Sequence, residues 1–156
     1  MLKKGLILIA ALAALLAGIM ASSRLSAQFE LVNGQTGRLD DYAGRYLVIN
    51  YFARWCAPCL REIPELNAFV AGMDTRQTAF LAVDWDRLPK DKMQAMIDEL
   101  DMRFAVVSDD TKMPIPFTRP DKLPATFILG PDGELAATLW GEQTAASIDA
   151  KLAELQ

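Results

Sequence analysis

The sequence predicts one α/β domain, a mixed β-sheet with helices on both faces, preceded by an N-terminal membrane helix or signal segment. Three observations lead to this class. Apolar runs typical of buried strands alternate with amphipathic helical patterns, which favours parallel pairing of the strands that flank each helix. The turn sequence Gly130-Pro131-Asp132-Gly133 joins two further strands as an antiparallel hairpin. A chain of 156 residues is long enough for one such domain and a short appendage.

The predicted elements follow in the order β-α-β-α-β-β-α, after an extended and turn-rich lead-in over residues 28–45. Continuous apolar runs favour strands buried on both faces, and apolar residues at helical spacing favour helices with one buried side. The strands are expected at 46–53, 78–84, 125–129 and 134–140, and the helices at 58–73, 90–101 and 143–155; residues 104–107 are a further candidate for a short strand.

Prolines modify this pattern in two places. Pro58 is tolerated in the first turn of the first helix, whereas Pro64 lies inside that helix and is expected to kink it. The segment 108–122 carries three prolines among charged residues. It is therefore expected to be a loop.

Residues 1–27 are predicted to be a targeting segment. Two lysines near the start provide positive charge, residues 5–21 form an uninterrupted run of apolar and small residues, and Arg24 ends that run. As a helix, the run is only just long enough to be a membrane span, at the lower limit of the range of about 17–25 residues. An uncleaved signal-anchor is favoured over a cleaved signal peptide, because the run is long and the cleavage site is poor. Either alternative exports residues 28–156.

The overall composition excludes several classes of function. The net charge is −4 and the exported part has no basic cluster, so no nucleic-acid partner is expected. Histidine is absent, which excludes histidine metal ligands and catalytic pairs of histidine with serine or cysteine. The chemistry must therefore come from other side chains.

The two cysteines of the chain, Cys56 and Cys59, lie between the first core strand and the first helix. Free N–H groups and the helix dipole stabilise a thiolate at a helix N-terminus, and a second thiol one turn later can close a disulfide with it. A structural disulfide is the main alternative, but so short a loop stabilises a fold weakly. A zinc site is another, but two thiolates are half of a tetrahedral set. A reversible dithiol–disulfide couple is favoured, with no metal and no other cofactor expected.

The residues around the cysteines resemble those of the thioredoxin superfamily. The similar segments are Trp55-Cys56-Ala57-Pro58-Cys59, followed by Pro64, and Leu123-Pro124-Ala125-Thr126-Phe127 before the hairpin. Within that superfamily, the N-terminal segment and the lead-in are similar to the membrane-anchored, exported TlpA/ResA/CcmG(DsbE)-like group. The resemblance covers residues 28–156 and implies a thioredoxin-like domain with thiol-disulfide oxidoreductase activity. It also implies a bacterial inner membrane location with the catalytic domain in the periplasm, or a soluble periplasmic protein if the segment is cleaved.

The resemblance assigns roles to the residues of the first segment. Cys56 would be the nucleophile, and Cys59 would resolve the mixed disulfide. Trp55 and Pro58 would flank the pair as part of the substrate-binding surface. Core packing is an alternative for Trp55.

The second segment would complete the site. Pro124 matches the cis-proline that faces the cysteines in this superfamily, and with Leu123 it would offer backbone groups to an extended stretch of the partner chain. Two departures from the family pattern leave the client protein open. Loop 108–122 stands in place of the usual helix, and Lys122 stands where the family commonly has glycine. Two further expectations are a core position for Trp140 and a solvated turn at residues 84–86, for which contact with a partner is the alternative.

Proton transfer is assigned to Glu62. Thioredoxins carry a buried aspartate in the strand before the cysteines, where this chain has Asn50, which cannot accept a proton from Cys59. Glu62 lies one helical turn after Cys59, where ResA-like proteins also have a glutamate. In the functional interpretation its carboxylate relays a proton to or from the thiols, and its charge raises their pKa. The alternative is an exposed helical carboxylate.

Three functions are compatible with this domain. An exported reductant would open specific protein disulfides, such as those of apocytochromes or copper-site proteins, with electrons from a membrane thiol donor. An oxidant would donate disulfides to folding proteins. Strong oxidants often have a histidine between the two cysteines, where this chain has Ala57 and Pro58. A reductant with a potential of about −270 to −200 mV is therefore favoured. The non-catalytic alternative is a domain that holds a partner or Cu(I) through its two thiolates.

Overall fold

The structure, a computed structural model, describes residues 28–156, which form seven strands and three α-helices. The strands are β1 (Gln28–Glu30), β2 (Thr36–Arg38), β3 (Tyr46–Phe52), β4 (Thr78–Asp84), β5 (Val106–Val107), β6 (Ala125–Leu129) and β7 (Leu135–Trp140). The helices are α1 (Ala57–Gly72), α2 (Lys90–Glu99) and α3 (Ala145–Leu155), with short 3-10 turns at Leu39–Tyr42 and Asp110–Lys112.

Five strands form the central sheet in the order β5-β4-β3-β6-β7. β4 runs parallel to both β3 and β5, whereas β6 runs antiparallel to both β3 and β7. β1 and β2 form a separate antiparallel hairpin. The predicted mixed sheet and the predicted order of elements are therefore confirmed, and the candidate strand at 104–107 is present as β5.

All three α-helices pack on one face of this sheet, which differs from the expected distribution over both faces. Buried residues of α1, α2 and α3 share one apolar cluster with Val48, Phe80 and Ile128 of the sheet. Side chains of β1, of the turn at 39–42 and of the loop 108–122 pack in the cluster on the opposite face. The right-handed crossovers from β3 to β4 and from β4 to β5 proceed in the same direction across the sheet, which places α1 and α2 on the same face.

The segment 108–122 is a loop with one 3-10 turn, as its prolines predict. It covers the face of the sheet opposite the helices. Phe117 stacks on Phe127 of β6 with ring centroids 3.9 Å apart, and Met113 is buried in the same cluster. This loop therefore covers the apolar side chains on that face, in place of the helix that the family resemblance implies there.

The structure corrects two expected side-chain environments, one of them entirely and the other in part. Trp140 is 55% exposed, because it ends the edge strand β7 rather than a central strand. The turn at residues 84–86 is only partly solvated, since Asp84 is buried and Trp85 packs against both apolar clusters. The Trp85 backbone N–H donates to the Phe52 carbonyl at 2.7 Å, so the pairing of β3 with β4 holds this turn against the sheet.

The predicted targeting segment, residues 1–27 with its membrane span at 5–21, lies outside the described residues. Within residues 28–156, no helix combines the length and the apolar character needed to cross a membrane. The longest described helix, α1, has 16 residues and runs through Pro64 without interruption.

Candidate active site

Cys56 and Cys59 form a disulfide at the junction of β3 and α1. The S–S distance is 2.05 Å and the two Cα atoms lie 5.3 Å apart. Cys56 is the N-cap of α1, and its Sγ accepts a hydrogen bond from the Cys59 backbone N–H at 3.3 Å. Cys59 is fully buried, whereas Cys56 is 5% exposed. Cys56 is thus slightly more exposed than Cys59, and its role as the nucleophile stays a prediction.

The local sequence explains why α1 begins at the cysteines. Pro58 occupies the first turn, where a missing N–H costs no helical hydrogen bond. The buried side of the helix follows helical spacing through Cys59, Ile63 and Leu66. N–H groups of the first turn have no partner within the helix, so they are available to stabilise a Cys56 thiolate.

Glu62 lies on the same side of α1 as Cys59 and is fully buried. Its Oε1 accepts a hydrogen bond from Nδ2 of Asn50 at 2.9 Å, and its Oε2 accepts one from the Gln143 backbone N–H at 2.9 Å. A position three residues after Cys59 and four before Leu66 places Glu62 within the buried stripe of the helix. The alternative of an exposed helical carboxylate is therefore wrong.

Burial raises the pKa of Glu62 from its ordinary value of 4.5 to about 7. Loss of hydration is the main cause, because it disfavours the charged carboxylate. The hydrogen bonds from Gln143 and Asn50 lower the pKa, and the charge of Glu142 raises it. A carboxyl group with a pKa near neutrality can both take up and release a proton at ambient pH.

Asn50 connects Glu62 to the strand that follows the predicted cis-proline. Its Nδ2 also donates to Oγ1 of Thr126 at 3.1 Å, and both residues are fully buried. They are direct partners in the antiparallel pairing of β3 with β6. Within the described part of the chain, Oδ1 of Asn50 is buried without a hydrogen-bond partner. Asn50 therefore serves the buried carboxylate as a hydrogen-bond donor.

Trp55 lies at the surface beside the disulfide. Its side chain is 65% exposed, and its Nε1 donates to Oδ2 of Asp86 at 2.8 Å. Its ring meets that of Trp85 edge to face, with centroids 6.2 Å apart. The core-packing alternative for Trp55 is therefore wrong, and the indole forms an apolar surface next to Cys56.

The peptide bond between Leu123 and Pro124 is cis, as the resemblance implies. β6 pairs with β3 through Ala125 and Tyr51, which brings Pro124 to the end of the sheet that carries the cysteines. The Pro124 carbonyl accepts a hydrogen bond from the Gly141 N–H at 3.0 Å, and proline has no N–H to offer. Backbone pairing with a partner chain would therefore fall to Leu123.

Several polar residues near this site are not identified by the sequence patterns. Gln143 and Thr126 reach the Glu62–Asn50 pair only through folding, so no local signal marks them. Asp84 is buried at the end of β4, where its Oδ2 accepts a hydrogen bond from the Leu88 N–H at 2.7 Å and burial raises its pKa. A carboxylate that directly follows the apolar run at residues 79–83 is the signal that could have indicated this burial.

Comparison with known proteins identifies related chains. Residues 25–138 match the AhpC/TSA family. The chain is 26% identical over 125 residues to thiol-disulfide oxidoreductase ResA of Geobacillus kaustophilus, which covers 80% of this chain and 71% of that relative. It is 27% identical over 126 residues to ResA of Oceanobacillus iheyensis, which covers 81% of this chain and 65% of that relative.

Solved structures with the same fold include two bacterial proteins. StoA from Bacillus subtilis superposes with a TM-score of 0.68 at 19% identity, covering 80% of this chain and 94% of StoA. A DsbF homologue from Corynebacterium diphtheriae superposes with a TM-score of 0.69 at 18% identity, covering 81% of this chain and 82% of that protein. The predicted thioredoxin-like fold is therefore confirmed.

Proposed function

We propose that this chain, which belongs to the AhpC/TSA family, is an exported reductant of specific protein disulfides. It is a thiol-disulfide oxidoreductase of the ResA/DsbE type, the activity for which its relatives are named. The observation that carries the proposed reaction is the Cys56–Cys59 pair at the N-terminus of α1, with the buried Glu62 one turn later.

The proposed reaction is a two-electron exchange between two disulfides. The Cys56 thiolate attacks one sulfur of the client disulfide, forms a mixed disulfide and releases the other client sulfur as a thiolate, which takes up a proton. The Cys59 thiol loses its proton and attacks Sγ of Cys56, which closes the internal disulfide and releases the second client thiol. The client disulfide is reduced and the Cys56–Cys59 dithiol is oxidised.

Glu62 is the proposed proton carrier of this cycle. The buried Cys59 needs a proton acceptor before it can attack, and Asn50 cannot accept one. Glu62 lies one helical turn away on the same buried side, and its pKa of about 7 suits proton transfer near neutral pH. Its hydrogen bonds from Asn50 and Gln143 hold the carboxylate in place.

The proposed contact surface for the client consists of Trp55, Pro58, Leu123 and Pro124. The exposed ring of Trp55 supplies apolar area beside Cys56. Leu123 precedes the cis bond at the same end of the sheet, where its backbone could pair with an extended client segment. Main-chain pairing gives affinity with little dependence on client sequence.

The proposed direction is reduction, at the periplasmic side of a bacterial inner membrane. Ala57 and Pro58 lie between the cysteines, and neither carries a cation that would strongly stabilise the Cys56 thiolate. The clients would be disulfides of apocytochromes before haem attachment or of copper-site proteins before metal loading. Because an oxidising compartment supplies no electrons, a membrane thiol protein would regenerate the dithiol.

Capture of the mixed disulfide tests this proposal. In Cys59→Ser, Cys56 can attack a client disulfide, but no second thiol of the pair can resolve the mixed disulfide. Client proteins should therefore accumulate as covalent adducts. Mass spectrometry of adducts from membrane and periplasmic fractions should identify apocytochromes or copper-site proteins. The matched control Cys56→Ser retains the buried thiol and should capture nothing. Capture of a broad set of folding envelope proteins would instead support a disulfide donor.

The reduction potential tests the direction of the reaction separately. We expect about −270 to −200 mV, measured by equilibration of the purified protein with glutathione or dithiothreitol buffers. A potential near about −120 mV would identify an oxidant and contradict the proposed direction.

A further inference from the structure

A buried carboxylate ties the loop 108–122 to the strands that carry the active site. The Asp110 side chain is 3% exposed. Its Oδ1 accepts a hydrogen bond from Nε of Arg87 at 2.6 Å, and its Oδ2 forms an ion pair with Nε of Arg119 at 3.2 Å. The hydroxyl of Tyr51, in β3, donates to the same oxygen at 3.2 Å. Asp110 thus joins the beginning of the loop, its end, and the turn after β4.

Arg119 continues this connection to Trp85. Its guanidinium lies over the Trp85 ring, 4.7 Å from the centroid, and also donates a hydrogen bond to the Trp85 carbonyl. In return, Nε1 of Trp85 donates to the carbonyl of Pro120 at 2.9 Å. A planar guanidinium can lie flat on an aromatic ring while its N–H groups bind a carboxylate, a geometry that the compact ammonium group does not reproduce. Arg119 therefore fixes the position of Trp85 from two sides.

Trp85 is in turn the aromatic neighbour of Trp55. The two rings meet edge to face, and Trp55 is the residue before Cys56. Trp55 is mostly exposed, so it has few other contacts to limit its rotamers; its indole N–H bonds to Asp86, the residue after Trp85. Both contacts of the Trp55 ring thus depend on where the turn after β4 is held.

We propose that Arg119, held by Asp110, is a positioning residue that fixes Trp85 and thereby the Trp55 surface on which a polypeptide substrate docks. The loop that replaces a helix in this chain is then part of the substrate-binding apparatus. This inference rests on the proposed role of Trp55 as a client contact. Arg119 touches neither sulfur atom, so it affects docking of a polypeptide and leaves thiol chemistry with a small disulfide intact.

Two substrates separate docking from chemistry. The reduced protein is reacted with a ten-residue peptide that carries one disulfide, and with bis(2-hydroxyethyl) disulfide, which has no peptide to dock on the Trp55 surface. For Arg119→Met, we expect the second-order rate constant with the peptide to fall at least fivefold and that with bis(2-hydroxyethyl) disulfide to change less than twofold. An equal fall for both substrates, or no fall for either, would overturn the proposal.

Tyr51→Phe is the matched control. It removes one hydrogen bond to Asp110 and leaves Arg119 over Trp85, so the ratio of the two rate constants should stay within twofold of wild type. A shift in that ratio as large as that of Arg119→Met would overturn the proposal, because the effect would then follow general perturbation of the network.

Arg119→Lys serves if the methionine variant does not fold. It keeps a cation beside Asp110 but loses the planar stack on Trp85, so the same selective loss with the peptide is expected. An unchanged ratio in Arg119→Lys would overturn the proposal.

Trp55→Ala distinguishes this inference from its premise. If Trp55→Ala lowers the peptide rate selectively and Arg119→Met does not, only the inference fails. If Trp55→Ala has no selective effect, the proposed client contact fails and the inference fails with it.

Discussion

The Glu62 carboxylate is held by two neutral N–H donors, from Asn50 and Gln143. Neutral donors offset only part of the free energy lost when a carboxylate leaves water, and the remainder appears as a raised pKa. A full positive charge in the same place would have kept the pKa low and the group permanently ionised. The arrangement instead leaves Glu62 able to change its charge near pH 7.

Glu62→Gln is expected to change thiol chemistry in two ways. Above about pH 7 the wild-type carboxylate is negative and opposes formation of a nearby thiolate, so its loss should lower the apparent pKa of the reduced cysteines. Loss of the proton acceptor should slow disulfide exchange and remove an inflection near pH 7 from the rate profile. Thiolate absorbance and exchange rates across the pH range measure both effects. An unchanged thiol titration in this variant would reject the role.

The same substitution provides a second readout in the oxidised protein, in which the thiols do not titrate. A pKa of about 7 in the folded state against 4.5 ordinarily means that the folded protein holds the proton more tightly. The contribution of Glu62 to the free energy of unfolding is therefore present in full below about pH 4.5. It is lost as pH rises towards 7, and the total loss is about 3 kcal/mol. Urea unfolding should show this loss in wild type and in the surface control Glu154→Gln, but not in Glu62→Gln.

The beginning of α3 is the element that completes the Glu62 site. Thr144 and Ser147 form a reciprocal capping box, with Ser147 N–H to Thr144 Oγ1 at 3.1 Å and Thr144 N–H to Ser147 Oγ at 3.0 Å. The residue before this cap is Gln143, whose backbone N–H binds Glu62. The cap therefore stabilises the helix at the point where its chain meets the buried carboxylate.

Removal of this cap should cost stability in a defined amount. Thr144→Ala leaves the Ser147 N–H without its side-chain acceptor, and we expect a loss of about 1 kcal/mol in the free energy of unfolding. Thr144→Ser keeps the hydroxyl and should lose at most a few tenths of that amount. Urea denaturation of the oxidised proteins measures both. Equal stabilities of the alanine and serine variants would show that the capping bond contributes nothing.

At the scale of the whole molecule, the described chain begins on one face of the central sheet and has its cysteines at one end of it. β1, the first described strand, packs on the face opposite the helices, whereas the cysteines lie at the end of β3 from which α1 departs. The predicted membrane anchor at residues 5–21 precedes β1 in the sequence. The proposed tether requires its own test, because it lies outside the described residues.

Fractionation of cells tests the proposed anchor. The full chain should remain with membranes after an alkaline carbonate wash, since a helix of apolar residues long enough to span the bilayer is not extracted by charge or pH. A variant without residues 5–21 should be soluble and should lose export, measured by the activity of alkaline phosphatase fused to the C-terminus. A soluble periplasmic protein with a shortened N-terminus by mass spectrometry would instead establish a cleaved signal.

Local sequence is sufficient for the elements and for the reacting pair. Apolar runs, helical spacing and turn residues are properties of neighbouring positions, so the order of strands and helices, the proline-rich loop and the placement of Cys56 and Cys59 follow from them. The distribution of the helices does not follow, because it depends on the direction in which successive crossovers proceed across the sheet.

Contacts between distant positions required folding. Asn50, Glu62, Thr126 and Gln143 come from four different parts of the chain, and no spacing rule relates them. The same holds for the connection from Asp110 through Arg119 to the active-site surface. A sequence pattern reports which side of its own element a residue faces, whereas hydration, charge neighbours and hydrogen-bond partners depend on what packs against that side. The dithiol pair is therefore determined by neighbouring residues in the sequence, whereas the burial that raises the pKa of Glu62 arises from tertiary packing.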